Sequence, residues 1–160
     1  MEYWEAWSDA PGQLLVHHGR VGERGLAQRI AVAVGGADER LAALEERQRL
    51  RGYREIEACK LGLVLVQFPD EPAHGELHGR AIAWMKDVLR WTGLGDYVGF
   101  DDTSDLTIMG EAVDAELAAD VLARELETSD LPRDAVIALS ATEDVIHWPP
   151  TRRGEIFDGP

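Results

Sequence analysis

The residues best suited to chemistry stand together near the amino terminus, in His17-His18-Gly19-Arg20-Val21-Gly22-Glu23-Arg24-Gly25. Two imidazoles, two guanidinium groups and three glycines in so short a run point to recognition of an anion. Gly19, Gly22 and Gly25 permit positive φ and close backbone approach. Arg20 and Arg24 each present a planar fork of N–H donors that matches phosphate or carboxylate oxygens. A structural part fits the same residues: the glycines shape a bulge between strands and Arg20 bonds to backbone or to a carboxylate. A metal is not expected here, because adjacent residues of a strand point to opposite faces and separate His17 from His18. One cysteine, Cys59, leaves no cysteine cluster to complete a zinc site.

Other candidates are weaker. Asp101-Asp102-Thr103-Ser104-Asp105 supplies oxygen ligands but lacks the glycine and the distal glutamate of a calcium-binding helix–loop–helix. Asp101, Asp102 and Asp105 are therefore expected to form an acidic interaction surface. His74, Glu76 and His78 gather at a helix entry, where polar residues ordinarily face solvent. No nucleophile elbow, phosphate-binding Gly-Lys loop or zinc-protease helix motif is present. No enzyme, cofactor or metal is expected. Trp84 and Trp91, seven residues apart, share a helical face and are read as core.

Elements that would position the first cluster follow from periodicity. Glu2–Asp9 alternates as a strand, turn residues Asp9, Pro11 and Gly12 follow, and Gln13–His18 resumes the extended run, which makes a hairpin. The glycine–arginine run connects to a third strand across Leu26–Val34. Asp38 is the expected N-cap of a helix that runs to Arg51 and stops at Gly52, with Arg47, Arg49 and Arg51 on its exposed side. From Leu61 the order reads strand, helix, strand, helix, strand, strand, with Gly93–Asp105 as a long loop and Asp114 capping the second helix. The fold class is α+β: a small antiparallel sheet with one helix (1–58), a mixed or antiparallel sheet covered by two helices (60–150), and a loose tail (151–160).

Charge divides the chain at the same place. Residues 1–60 hold 9 Lys+Arg against 10 Asp+Glu, a balance of −1. Residues 61–160 hold 7 against 20, a balance of −13, so the second part repels polyanions and suits a basic protein partner. The longest apolar run, Leu61–Phe68, is too short to span a bilayer, and the start lacks the pattern of a secretory signal. The cytoplasm is the expected compartment.

Residues 1–57 resemble a WGR module, named for a Trp-Gly-Arg signature and found in poly(ADP-ribose) polymerases and many bacterial proteins. The resemblance lies in the aromatic first strand Glu2–Trp7, the core His17–Gly25 and the closing Arg40–Ile56 with its Gly52-Tyr53 step. His18 stands at the signature tryptophan, so the motif reads His-Gly-Arg. In polymerases of that family the region is implicated in contacting DNA near a strand break. The resemblance thus implies a nucleic-acid or partner-binding surface on His18, Gly19, Arg20 and Arg24, with Arg47 and Arg51 extending it. Imidazole offers less stacking area than indole, so the contact should be weaker. The alternative is an acidic inhibitor of the antitoxin or immunity type, with no nucleic-acid role. Separately, Leu89–Gly99 is similar to a Trp-Thr-Gly-Leu-Gly segment in uncharacterised bacterial proteins, which brings no activity with it.

Overall fold

A computed structural model describes residues 1–72, 75–101, 105–140 and 145–157. The chain is α+β and falls into two compact units. Unit 1 holds Met1–Ile56 together with a distant piece, Trp91–Gly93. Unit 2 holds Glu57–Arg90 and the residues from Leu94 onward.

Unit 1 is a three-stranded antiparallel sheet in the order β1 (Glu2–Ala10), β2 (Gln13–Arg20), β3 (Leu26–Ala31), with helix α1 (Ala37–Leu50) on one face. The alternation read from the sequence sets the faces. Trp4, Ala6, Leu14, Val16, Ile30 and Val32 pack against Ala37, Leu41 and Leu44 of α1. Helix α1 buries only Leu44 outright, so it is a thin lid over its sheet. Its N-cap is Gly36, with no side-chain capping bond, and not Asp38, which lies inside the first turn and there complements the positive end of the helix dipole. Gly52 follows the helix end as expected, its N–H donating to the Arg49 carbonyl. The third strand stops at Ala31, short of the expected Val34.

Unit 2 is built from β4 (Gly62–Pro72), α2 (Glu76–Trp91, whose last residue counts in unit 1), β5 (Gly95–Asp101), β6 (Asp105–Ala112), α3 (Ala115–Thr128), β7 (Val136–Ser140) and β8 (Val145–Trp148). The five strands are antiparallel in the order β5-β6-β4-β7-β8. The first four strands and the two helices form two interleaved split β-α-β units, and β8 extends the edge. Val64, Val66, Phe68, Leu106 and Ile108 are fully buried. Helix α2 brings Met85 and Leu89 onto Gly110 of β6, and α3 lies against β4 and β7. Asp114 caps α3, its carboxylate accepting the Leu117 N–H at 3.0 Å.

Two expectations are corrected. Gly95–Asp101 is strand β5 and not part of a loop; its pairing with β6 overrides a composition rich in glycine and aspartate, with a register shift at Tyr97/Gly99. Nor do residues 151–157 of the expected tail hang loose, residues 158–160 lying outside the described residues: a short 3-10 turn at Pro150–Arg152 returns the chain to β8, where Ile146 exchanges backbone bonds with Gly154 and Glu155. Phe157 supplies the reason, since it joins a cluster with Leu65, Val136, Ala138 and Ile146. Buried His147 holds the same region: Arg153 donates to its Nδ1 at 3.5 Å, and its Nε2–H donates to Asp120 of α3 at 2.7 Å. No helix among the described residues is long and apolar enough to cross a membrane.

Candidate functional site

The two histidines part company as the strand period demands. His18 is exposed on the α1 side of the sheet, opposite Trp4 in the ladder, whereas His17 is 1% exposed on the other side, opposite Glu5. Arg20 pairs in register with Glu2 on the same side as His18. Its guanidinium meets Glu23 at 3.4 Å, both side chains open to solvent, which makes this a weak surface pair. The Tyr53 hydroxyl donates to Glu2 at 3.3 Å. Tyr53 follows Arg51 by two residues, so the carboxyl end of α1 closes on the strand end that carries Arg20. Arg47 and Arg51 are exposed there, one helical turn apart, and among the described residues neither has a carboxylate partner. His18, Arg20, Arg47 and Arg51 thus share one end of unit 1, while Arg24 is exposed in the β2–β3 connection.

The glycines serve a different purpose. The Gly22 N–H donates to the Thr92 carbonyl at 2.9 Å, and the Gly25 N–H donates to the Trp91 carbonyl at 3.1 Å. The donors of a would-be phosphate cradle are therefore already engaged within unit 1. On the buried side, the Tyr3 hydroxyl lies 2.8 Å from Nε2 of His17 and 3.4 Å from the Trp91 carbonyl oxygen. The shorter contact takes the hydroxyl proton, so we assign Nε2 as acceptor and place the ring proton on Nδ1, facing Glu5 at 3.6 Å. The His17 ring stands edge-on to both Tyr3 and Trp91, with centroids 4.9 and 4.7 Å away.

Two glycines here have no substitute. Gly93 has φ +61°, and a β-carbon on it would sit inside the Tyr3 ring. A β-carbon on Gly25 would collide with the Tyr3 hydroxyl and the His18 carbonyl. The Tyr3 and His17 side chains they border are buried, with the Glu5 carboxylate nearby. Burial lowers the His17 pKa, and the nearby His18 pushes the same way. Burial, then the Glu5 charge, raises that of Tyr3. Both side chains are buried, and their contacts with the Trp91 carbonyl and ring hold chain within unit 1.

Of the acidic candidates, Asp101 ends β5 and Asp105 opens β6, the antiparallel strand beside it; Asp102 lies outside the described residues. The face of the larger sheet away from its helices carries a cavity of about 200 Å³, lined by Leu63, Leu65, Met109, Phe157, Asp101, Thr107 and Ser140. That is below the usual size of a small-molecule site, about 300–1,000 Å³. Among the described residues, no group of three or more His, Cys, Asp or Glu side chains could hold a metal ion.

Of the residues singled out from the sequence, His18, Arg20, Arg47 and Arg51 lie toward one end of unit 1, whereas the partnership of His17–Gly25 with Trp91–Gly93 was not foreseen. Both segments stood out on their own, and nothing in either names the other. Compared with protein-family models, curated proteins and solved structures, the chain matches none of them.

Proposed function

We propose that the protein is a binding protein without catalytic activity, and that unit 1 takes an anionic chain, nucleic acid foremost, at the end bearing His18 and Arg20. The observation that carries this reading is the shared placement of an exposed imidazole beside Trp4, the Arg20 guanidinium in the next ladder step, and the arginine-bearing end of α1. The likeness to a WGR module supports it. With Gly22 and Gly25 already donating to carbonyls, phosphate contact falls to side chains. Affinity is then electrostatic in the main and falls steeply with salt. Glu2 and Glu23, beside Arg20, weaken loose attraction and leave a preference for a shaped target such as a duplex end or nick.

Fluorescence anisotropy with blunt, nicked and single-stranded labelled DNA tests the reading. Binding that prefers ends or nicks is expected, with Arg20→Ala lowering affinity and reducing the salt slope by about one. Absence of binding at low salt, or indifference to Arg20→Ala, would sink it.

A second reading draws on Asp101 and Asp105 at the facing ends of β5 and β6 in a part of balance −13: an inhibitor of the antitoxin or immunity type that meets a basic protein. Asp101→Lys with Asp105→Lys should then slow association with that partner, while DNA binding by unit 1 would be unaffected.

A further inference from the structure

Trp91-Thr92-Gly93 is held in the manner of a bound peptide. Its first two carbonyls accept the N–H groups of Gly25 and Gly22, and the first is also within reach of the Tyr3 hydroxyl. Trp91 ends helix α2 and Thr92-Gly93 form the turn after it, so these main-chain bonds grip a helix terminus, and selectivity comes from what surrounds its side chains. Here the indole of Trp91 meets the His17 ring edge-on, Thr92 is 1% exposed, and the third position admits only glycine because Tyr3 fills the space of a β-carbon. All of these contacts lie within unit 1, yet the segment is 66 residues after Gly25 (91 − 25) and contributes three residues only.

We propose that unit 1 carries a peptide-recognition site selective for an aromatic–Thr–Gly segment, with Trp91-Thr92-Gly93 of the same chain as its resident occupant. Tyr3, His17, Gly22 and Gly25 form the site; Gly19 lets the β2–β3 connection close over it, its own β-carbon position lying against Gly25 and Tyr3. The covalently attached occupant enjoys a high effective concentration and excludes the same sequence offered by another molecule. The site becomes available to a free peptide once the resident segment is expelled. This proposal is independent of nucleic-acid binding, which uses the opposite side of the sheet.

The test uses the full chain carrying Gly93→Val, which forces a side chain into the Tyr3 ring and ejects the segment. A fluorescein-labelled peptide Leu-Arg-Trp-Thr-Gly-Leu is titrated against it, beside a peptide with alanine in place of glycine. The glycine peptide should bind saturably, the alanine peptide at least about tenfold more weakly, and the unaltered chain should bind neither. Failure of the folded variant to bind, or equal binding of the two peptides, overturns the proposal. Should Gly93→Val not fold, hydrogen exchange of the unaltered chain decides. A separable occupant lets the Gly22 and Gly25 amides exchange by local opening well before those of Leu15 and His17. Exchange of all four only on global unfolding would make the segment ordinary core and refute the site.

Discussion

The Tyr3 hydroxyl sits 2.8 Å from Nε2 of His17, and both side chains are buried. This pair closes the bottom of unit 1 and makes its stability depend on an uncharged imidazole. Burial lowers the His17 pKa below the ordinary value of 6.5, and the Glu5 carboxylate, 3.6 Å from Nδ1, is too distant for the hydrogen bond that would offset it. The unfolded chain therefore binds a proton here at a higher pH than the folded chain does. The contribution is complete above pH 6.5 and is lost as the pH falls below it, down to the depressed folded value. Urea midpoints between pH 7.5 and 5.5 should decline, and His17→Asn should flatten that decline. An equal slope in the variant would assign it to other groups.

Replacing Gly93 by alanine combines backbone strain at φ +61° with a clash against Tyr3, so a loss of about 2 kcal/mol or more is expected. Gly35 has φ +84° with nothing within 4 Å of its β-carbon position, and Gly35→Ala isolates the strain at about 1 kcal/mol. Thermal or urea unfolding of the two variants separates clash from strain. Equal losses would mean that Tyr3 moves aside.

Asp114 and Asp38 both looked like helix caps, and only the first accepts a backbone N–H. Asp114→Ala should cost about 1 kcal/mol. Asp38→Ala should cost no more than the modest dipole contribution of an exposed first-turn carboxylate, about 0.3–1 kcal/mol. Denaturant curves for each variant check the ordering.

Phe157 packs with Leu65 and Ile146, so Phe157→Ala should destabilise unit 2 by about 3 kcal/mol. A loss under about 0.5 kcal/mol, the range of ordinary surface changes, would show that the segment after Pro150 contributes little to the core.

Much of the fold was legible because its signals are local. Alternation along Glu2–Ala10 and Gln13–Arg20 placed His17 and His18 on opposite faces, whereas Trp84 and Trp91, read as core, are only half-buried. Strand β5 was missed because its glycines and aspartates favour a loop, and only pairing with β6 holds it extended. Trp91 shares a helical face with Trp84, and spacing alone does not say what lies opposite that face. Phe157 was passed over for a similar reason, since a single aromatic in a polar tail has no period. The clasp was beyond reach of any local pattern: Tyr3 and Trp91 are 88 residues apart, and the geometry of one explains the glycines around the other.

That separation has a consequence for the birth of the molecule. During synthesis, β1, β2, β3 and α1 emerge first and can pair, but the Tyr3 ring and the His17 imidazole stay wet until residue 93 has been made. Closing so long a loop costs more entropy than closing a hairpin does. Nascent unit 1 therefore matures in two stages, a sheet assembled early and a last wall delivered late. A fragment ending at Ile56, however well its strands pair, stops at the first.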